Sequence, residues 1–155
     1  MKSLQIILFC FWTLTLSAQT TDTVIHKIER TKSEIEKRKT SLKQKEIILN
    51  KEESKIAYFN EDNLELISVR QIETNINKSV NWYFKGGVLM LSETNWVDQK
   101  TNKIIKSEKQ YLNNGHLIAW INSDNKFVDN NGPEFIKLDN ELAEYGQKIL
   151  NEATR

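Results

Sequence analysis

A chain of 155 residues with 22 basic and 21 acidic side chains is long enough for one domain with its own core. It is too close to neutral to present the strong positive field that nucleic-acid binding requires, so no nucleic acid is expected as a partner. A single cysteine excludes an internal disulfide, and stability has to come from burial.

The chain opens as a secretory signal peptide would. Lys2 supplies a positive start, Ile6 to Leu16 form an uncharged apolar run, and Ser17-Ala18 offers small residues for cleavage. The run falls well short of the roughly 20 residues that span a bilayer. Residues 1–18 are therefore read as the signal peptide, with cleavage after Ala18 despite the bulk of Leu16. The mature protein is expected in the periplasm or outside the cell, touching a membrane only through that peptide before its removal. Cys10 follows Phe9 in the middle of the apolar run, which does not suit lipid attachment, and it leaves with the peptide.

Residues 19–54 are read as a helical segment, with a helix from Asp22 to about Ser54. The stretch lacks glycine and proline and is rich in Lys, Glu, Arg, Leu and Ile. Ile28, Ile35, Leu42 and Leu49 recur every seven residues, broadened at the ends by Ile25 and Ile48. The second apolar position of a coiled coil is taken by Lys32, Lys39 and Glu46. The pattern points to a long amphipathic helix laid across another element, with Thr40-Ser41 as a place for a break. Lys27 to Lys45 holds eight basic and three acidic residues. A solvated helix face with Glu34 and Arg38 spaced as a pair is preferred over contact with an anionic surface.

Residues 55–155 are read as a β-meander plus a C-terminal helix, forming one domain with the first helix. Tyr58-Phe59, Tyr83-Phe84 and Tyr111-Leu112 are each followed, after four residues, by Leu64, Leu89 and Leu117. Gly86-Gly87 and Asn114-Gly115 suit the positive φ angles of a two-residue type I′ turn, and Glu61-Asp62 holds the same place less well. Three hairpins imply six strands, near 55–60, 63–74, 79–85, 88–97, 104–112 and 116–122, in an antiparallel meander. After Asp129-Asn130-Asn131, Pro133 marks a helix start. Phe135, Leu138, Leu142, Tyr145 and Ile149 then give that helix one apolar face. The fold class is α+β: long N-terminal helix, six-stranded meander, C-terminal helix.

Hairpin register sorts the strand residues onto two sides. It pairs Phe84 with Leu89, Trp82 with Leu91, Leu112 with Leu117 and Phe59 with Leu64 on a core side. Alternation places Tyr58, Tyr83, Met90, Tyr111, Ile118 and Trp120 opposite, with Trp96 joining them if no bulge intervenes. That second side is either covered by the other helix or left open as an aromatic recognition surface.

No set of residues has the spacing of a metal site, nucleophile elbow or phosphate cradle. His26 and His116 are the only histidines, so no catalytic residue, metal or cofactor is expected, and the protein is read as no enzyme.

The repeated aromatic-x-x-x-Gly-x-Leu hairpin between Tyr58 and Ile121 resembles MORN-type repeat sheets. The whole plan, signal peptide to hairpins, is also similar to small exported β-meander proteins of Gram-negative bacteria. The resemblance implies a binding or scaffold role without a cofactor. The expected function is an exported binding protein whose partner is another protein, an inhibitor or immunity-type factor by class. One alternative is a binder of a small molecule, lipid or glycan on the aromatic sheet side; the other, placed last, is an enzyme of unknown type, which needs a titratable cluster in a cleft, for instance around His116.

Overall fold

A computed structural model describes residues 21–48 and 53–154. The expected signal peptide and its cleavage point lie outside the described residues. The first helix, α1, covers residues 21–38. Seven strands follow: β1 (Lys43–Ile48), β2 (Glu53–Asn60), β3 (Asn63–Ile72), β4 (Ile76–Lys85), β5 (Val88–Asp98), β6 (Lys103–Asn113) and β7 (His116–Ile121). The second helix, α2, is Pro133–Thr154. Every strand pairs antiparallel with its neighbours in sequence, in the order β1 to β7, so the sheet is a pure meander.

The sheet has seven strands instead of six, and the extra one comes from the stretch expected to be helical. Helix α1 stops at residue 38, where Ser41 Oγ donates to the Arg38 carbonyl at 2.7 Å and a 3-10 turn spans Lys39–Ser41. These bonds occupy carbonyls that a helix end leaves without partners. Leu42 then turns extended, and Lys43–Ile48 pairs along β2 from Lys43 opposite Phe59 to Ile48 opposite Ser54. Lys, Gln, Glu and Ile are good or tolerable helix formers, but cross-strand pairing decides their state here. As an edge strand, β1 carries Lys43 and Lys45, charges that discourage a further strand from adding.

The three hairpin turns form where the repeat places them. Gly86 and Gly87 have φ of 58° and 77°, and Asn114 and Gly115 have 52° and 83°. Positive φ at both central residues matches the right-handed twist of the flanking strands. Glu61 takes φ 56° in the first turn, a conformation that costs a residue with a Cβ. Phe59 pairs with Leu64, Phe84 with Leu89 and Leu112 with Leu117, as the repeat requires.

One residue beyond each of these leucines the register slips. Tyr58 pairs with Leu66, Tyr83 with Leu91 and Tyr111 with Ala119, leaving Glu65, Met90 and Ile118 as the extra residues of three β-bulges. A bulge sets two successive side chains toward the same side and reverses the alternation beyond it. Trp82 therefore lies opposite Ser92 and not Leu91.

The sheet separates two cores. On one side Leu64, Ile67, Trp82, Phe84, Leu89, Leu112 and Leu117 pack with Phe135, Leu142, Ile149 and Ala153 of α2. On the other, Tyr58, Leu66, Tyr83, Met90, Leu91, Tyr111 and Ala119 pack with Ile28 and Ile35 of α1 and with Leu42. Each fully buried side chain of this kind contributes about 1.5–3 kcal/mol, enough in sum to hold a domain without disulfides.

Candidate functional site

The tyrosine side of the sheet is the surface singled out by the sequence, and α1 closes half of it. Tyr58, Tyr83, Met90 and Tyr111 are buried. Ile118 is partly buried against the same cluster. Trp120 and Trp96 do not join them. The bulge at Ile118 turns Trp120 to the α2 side, where it packs on that core and its Nε1 donates to Glu108 at 2.6 Å. The bulge at Met90 does the same for Trp96. It lies opposite Lys78, whose Nζ sits 5.9 Å from the ring centroid, and Lys78 shares its side with Val80 and Trp82.

The apolar stripe of α1 is thin because the sheet supplies tyrosines, and tyrosines need polar partners when buried. Tyr83 OH donates to Glu36 at 2.8 Å, and Tyr111 OH donates to Glu29 at 2.5 Å. Lys109 Nζ also donates to Glu29 at 2.8 Å. Burial pushes both phenols up, and the adjacent carboxylates push them further. Burial also opposes ionisation of Glu29. The hydrogen bonds from Lys109 and Tyr111, with the charges of Lys109 and Lys32, outweigh it and hold that carboxyl below its ordinary value.

The lysines at the second heptad position face this lattice. Lys32 Nζ lies 2.7 Å from Glu93, which is itself buried, and 5.7 Å from the Tyr83 ring centroid. Lys39 Nζ sits 5.0 Å from the Tyr58 ring centroid, within cation–π range. At the end of α1, Arg38 Nη2 reaches Glu65 at 2.5 Å, while Glu34 accepts from Arg30 at 3.1 Å. The spacing that matched Glu34 to Arg38 is therefore not the pairing found. The second oxygen of Glu65 is buried with no hydrogen-bond partner.

Beyond the helix the same side stays bare. Arg70, Ser79, Asn95 and Ser107 follow one another across β3 to β6. The last full row joins Ile72, Asn77, Val97 and Ile104. A fourth bulge, at Ile105, sets a second isoleucine beside Ile104. Ile104 is 62% exposed, Ile105 52% and Ile72 43%. None of them belongs to either core.

The carboxylates under α1 accept from Tyr83, Tyr111, Lys32, Lys109 and Arg38, and Glu65 also from Asn60. His116 is exposed beside a turn, its Nδ1 3.5 Å from Asp139, whose other oxygen accepts the Leu117 N–H at 2.7 Å. Among the described residues no group of three or more His, Cys, Asp or Glu side chains is placed to hold a metal ion, and no helix is long and apolar enough to cross a membrane.

Sequence reasoning passed over Glu29, Glu36, Glu93 and Lys109, and also the isoleucines at the open end. The usable signal was Lys32 and Lys39 at positions where a sheet-facing stripe wants apolar residues. No family model, curated protein or solved structure matches this chain.

Proposed function

We propose that the protein is an exported, non-enzymatic binding protein whose partner is another protein, and that it engages this partner through the open end of the tyrosine side. The supporting observation is the row of isoleucines at Ile72, Ile104 and Ile105. All three are exposed, Ile104 and Ile105 side by side on β6 and Ile72 in the same row on β3 with Asn77 and Val97 between, and they are backed by Arg70, Ser79, Asn95 and Ser107. Grouped apolar side chains rimmed by polar ones characterise protein contact surfaces. The resemblance to MORN-type repeat sheets suits the same role. An inhibitor or immunity-type factor remains the class that fits the size.

The alternative reading, a small ligand held by the aromatic rings, required Tyr83, Tyr111 and Trp120 to line one open cavity. Tyr83 and Tyr111 are buried under α1 and Trp120 packs on the α2 side, which removes its support.

The test compares the wild-type protein with an Ile104→Asp, Ile105→Asp variant as bait in an envelope fraction, after amide exchange shows that both share one fold. A stoichiometric partner retained by the wild type and lost by the variant is the expected result. Equal recovery by both baits, or no partner for either, overturns the proposal.

A further inference from the structure

At the opposite end of the sheet, α1 and the tips of the second and third hairpins enclose a groove of about 320 Å3. Its apolar lining is Val24 and Ile28 of α1 with Met90, bordered by the hairpin residues Leu89 and Leu112, whose side chains belong to the α2-side core. Val88, 43% exposed, stands at its mouth. The polar lining is one-sided. Lys27 and Lys85 contribute two cations, Thr31, Asn113 and Asn114 contribute neutral groups, and among the described residues no carboxylate lines the groove.

Most other basic side chains of α1 and the turn after it are matched, Arg30 with Glu34, Lys32 with Glu93, Arg38 with Glu65 and Lys39 with Glu36, while Lys37 is not among them. Among the described residues no carboxylate lies within ion-pair distance of Lys27 or Lys85. A second groove of about 310 Å3 shares Thr31 and Lys85 with the first, but it carries Glu34 and Glu65 beside Arg38. Two depressions of similar size therefore share Lys85, one with two cations and no carboxylate, the other with two cations balanced by two carboxylates.

We infer that the groove floored by Met90 binds a small single-chain amphiphile with an anionic head, the class represented by a medium-chain carboxylate. The head faces Lys27 and Lys85, and the chain lies on Val24, Ile28 and Met90. The size falls at the lower end of the range for ligand sites, and an apolar floor with few converging polar groups is their usual make-up. A cationic head meets two like charges there, and an uncharged chain leaves the lysines without a counter-charge. The groove is separate from the isoleucine row, so its occupancy and the capture of a protein partner succeed or fail independently.

The experiment is a titration of the purified, isotope-labelled protein with octanoate, followed by amide chemical shifts. Saturable shifts at Lys27, Val88, Met90 and Asn114, with Asn60 and Asn63 in the charge-balanced second groove unmoved, are expected. A Lys27→Glu, Lys85→Glu variant, folded by its unperturbed remaining spectrum, weakens binding by roughly tenfold or more. Octylamine and acetate serve as controls and bind at least tenfold more weakly. Absence of saturable octanoate shifts at these residues overturns the inference. So does octylamine binding as tightly as octanoate, which marks a plain apolar patch, or acetate doing so, which marks plain charge attraction.

Discussion

The two helices cover the same sheet by different chemistry. Helix α2 seals its side with apolar volume, Phe135, Leu142 and Ile149 entering between Phe84, Leu89, Leu112 and Leu117. Gly146 lets the helix come close, since a Cβ there would stand 3.3 Å from Leu89. Helix α1 lays a sparse apolar stripe over tyrosines and closes the remainder with carboxylates and lysines. Apolar contact is indifferent to pH and forgiving of angle. Hydrogen-bonded ion pairs are directional, and they leave a costly orphan when one partner goes. The α1 side is thus the more specific cover and the α2 side the more robust one.

The sharpest way to break this contrast is to empty each side in turn. Phe84→Ala, at a position only 1% exposed on the α2 side, is expected to cost about 3–5 kcal/mol in denaturant unfolding, with the whole domain melting together. Ile35→Ala, equally buried under α1, is expected to cost about 2–4 kcal/mol. Its effect should be local as well: amide exchange in residues 21–38 speeds up more than exchange in β4 and β5. If exchange accelerates uniformly instead, the α1 cover is as integral as α2.

Acid probes the same difference. Because the folded protein holds the Glu29 carboxyl below its ordinary value of 4.5, its contribution is present above that value and fades as pH falls through the depressed one. Below pH 4.5 the α1 protections are expected to weaken before those of α2, read by amide exchange corrected for intrinsic rates. Single hydroxyl deletions refine the comparison further. Tyr83→Phe and Tyr111→Phe leave Glu36 and Glu29 each short of one donor and are expected to cost about 1–2 kcal/mol apiece by denaturant titration. The smallest effect is at the first turn, where Glu61→Gly relieves the positive φ. Stability should rise by up to about 1 kcal/mol, the strain relieved being offset in part by glycine's entropy.

The hairpins were legible because their turns carry their own chemistry: Gly86-Gly87 and Asn114-Gly115 fix φ, and φ fixes the pairing of Phe84 with Leu89 and Leu112 with Leu117. The bulges were not. Glu65, Met90 and Ile118 share no side-chain property, and the signal is only their position after a leucine. Missing them displaced Trp120 to the wrong side, and the bulge at Met90 settles the condition on which Trp96 was placed. Strand β1 was hidden for a different reason. Lys43 to Ile48 has the composition of a helix, and only pairing with β2 distinguishes the two outcomes. The tyrosine side itself was identified, but its closure by ion pairs depends on partners 47 to 82 residues apart, which no local pattern discloses.

The hydrogen bond from Tyr111 to Glu29 spans 82 residues, and this has a bearing on how the chain reaches its final form. A polypeptide appearing from its amino end exposes α1 before the strands, yet the groups that fasten the helix are distributed through strands as late as β6. Until Lys109 and Tyr111 have emerged and their hairpin has closed, Glu29 has neither of these partners. Made before the strands, the helix is secured in full only after most of them, and in that interval its isoleucines are available to whatever receives the nascent chain.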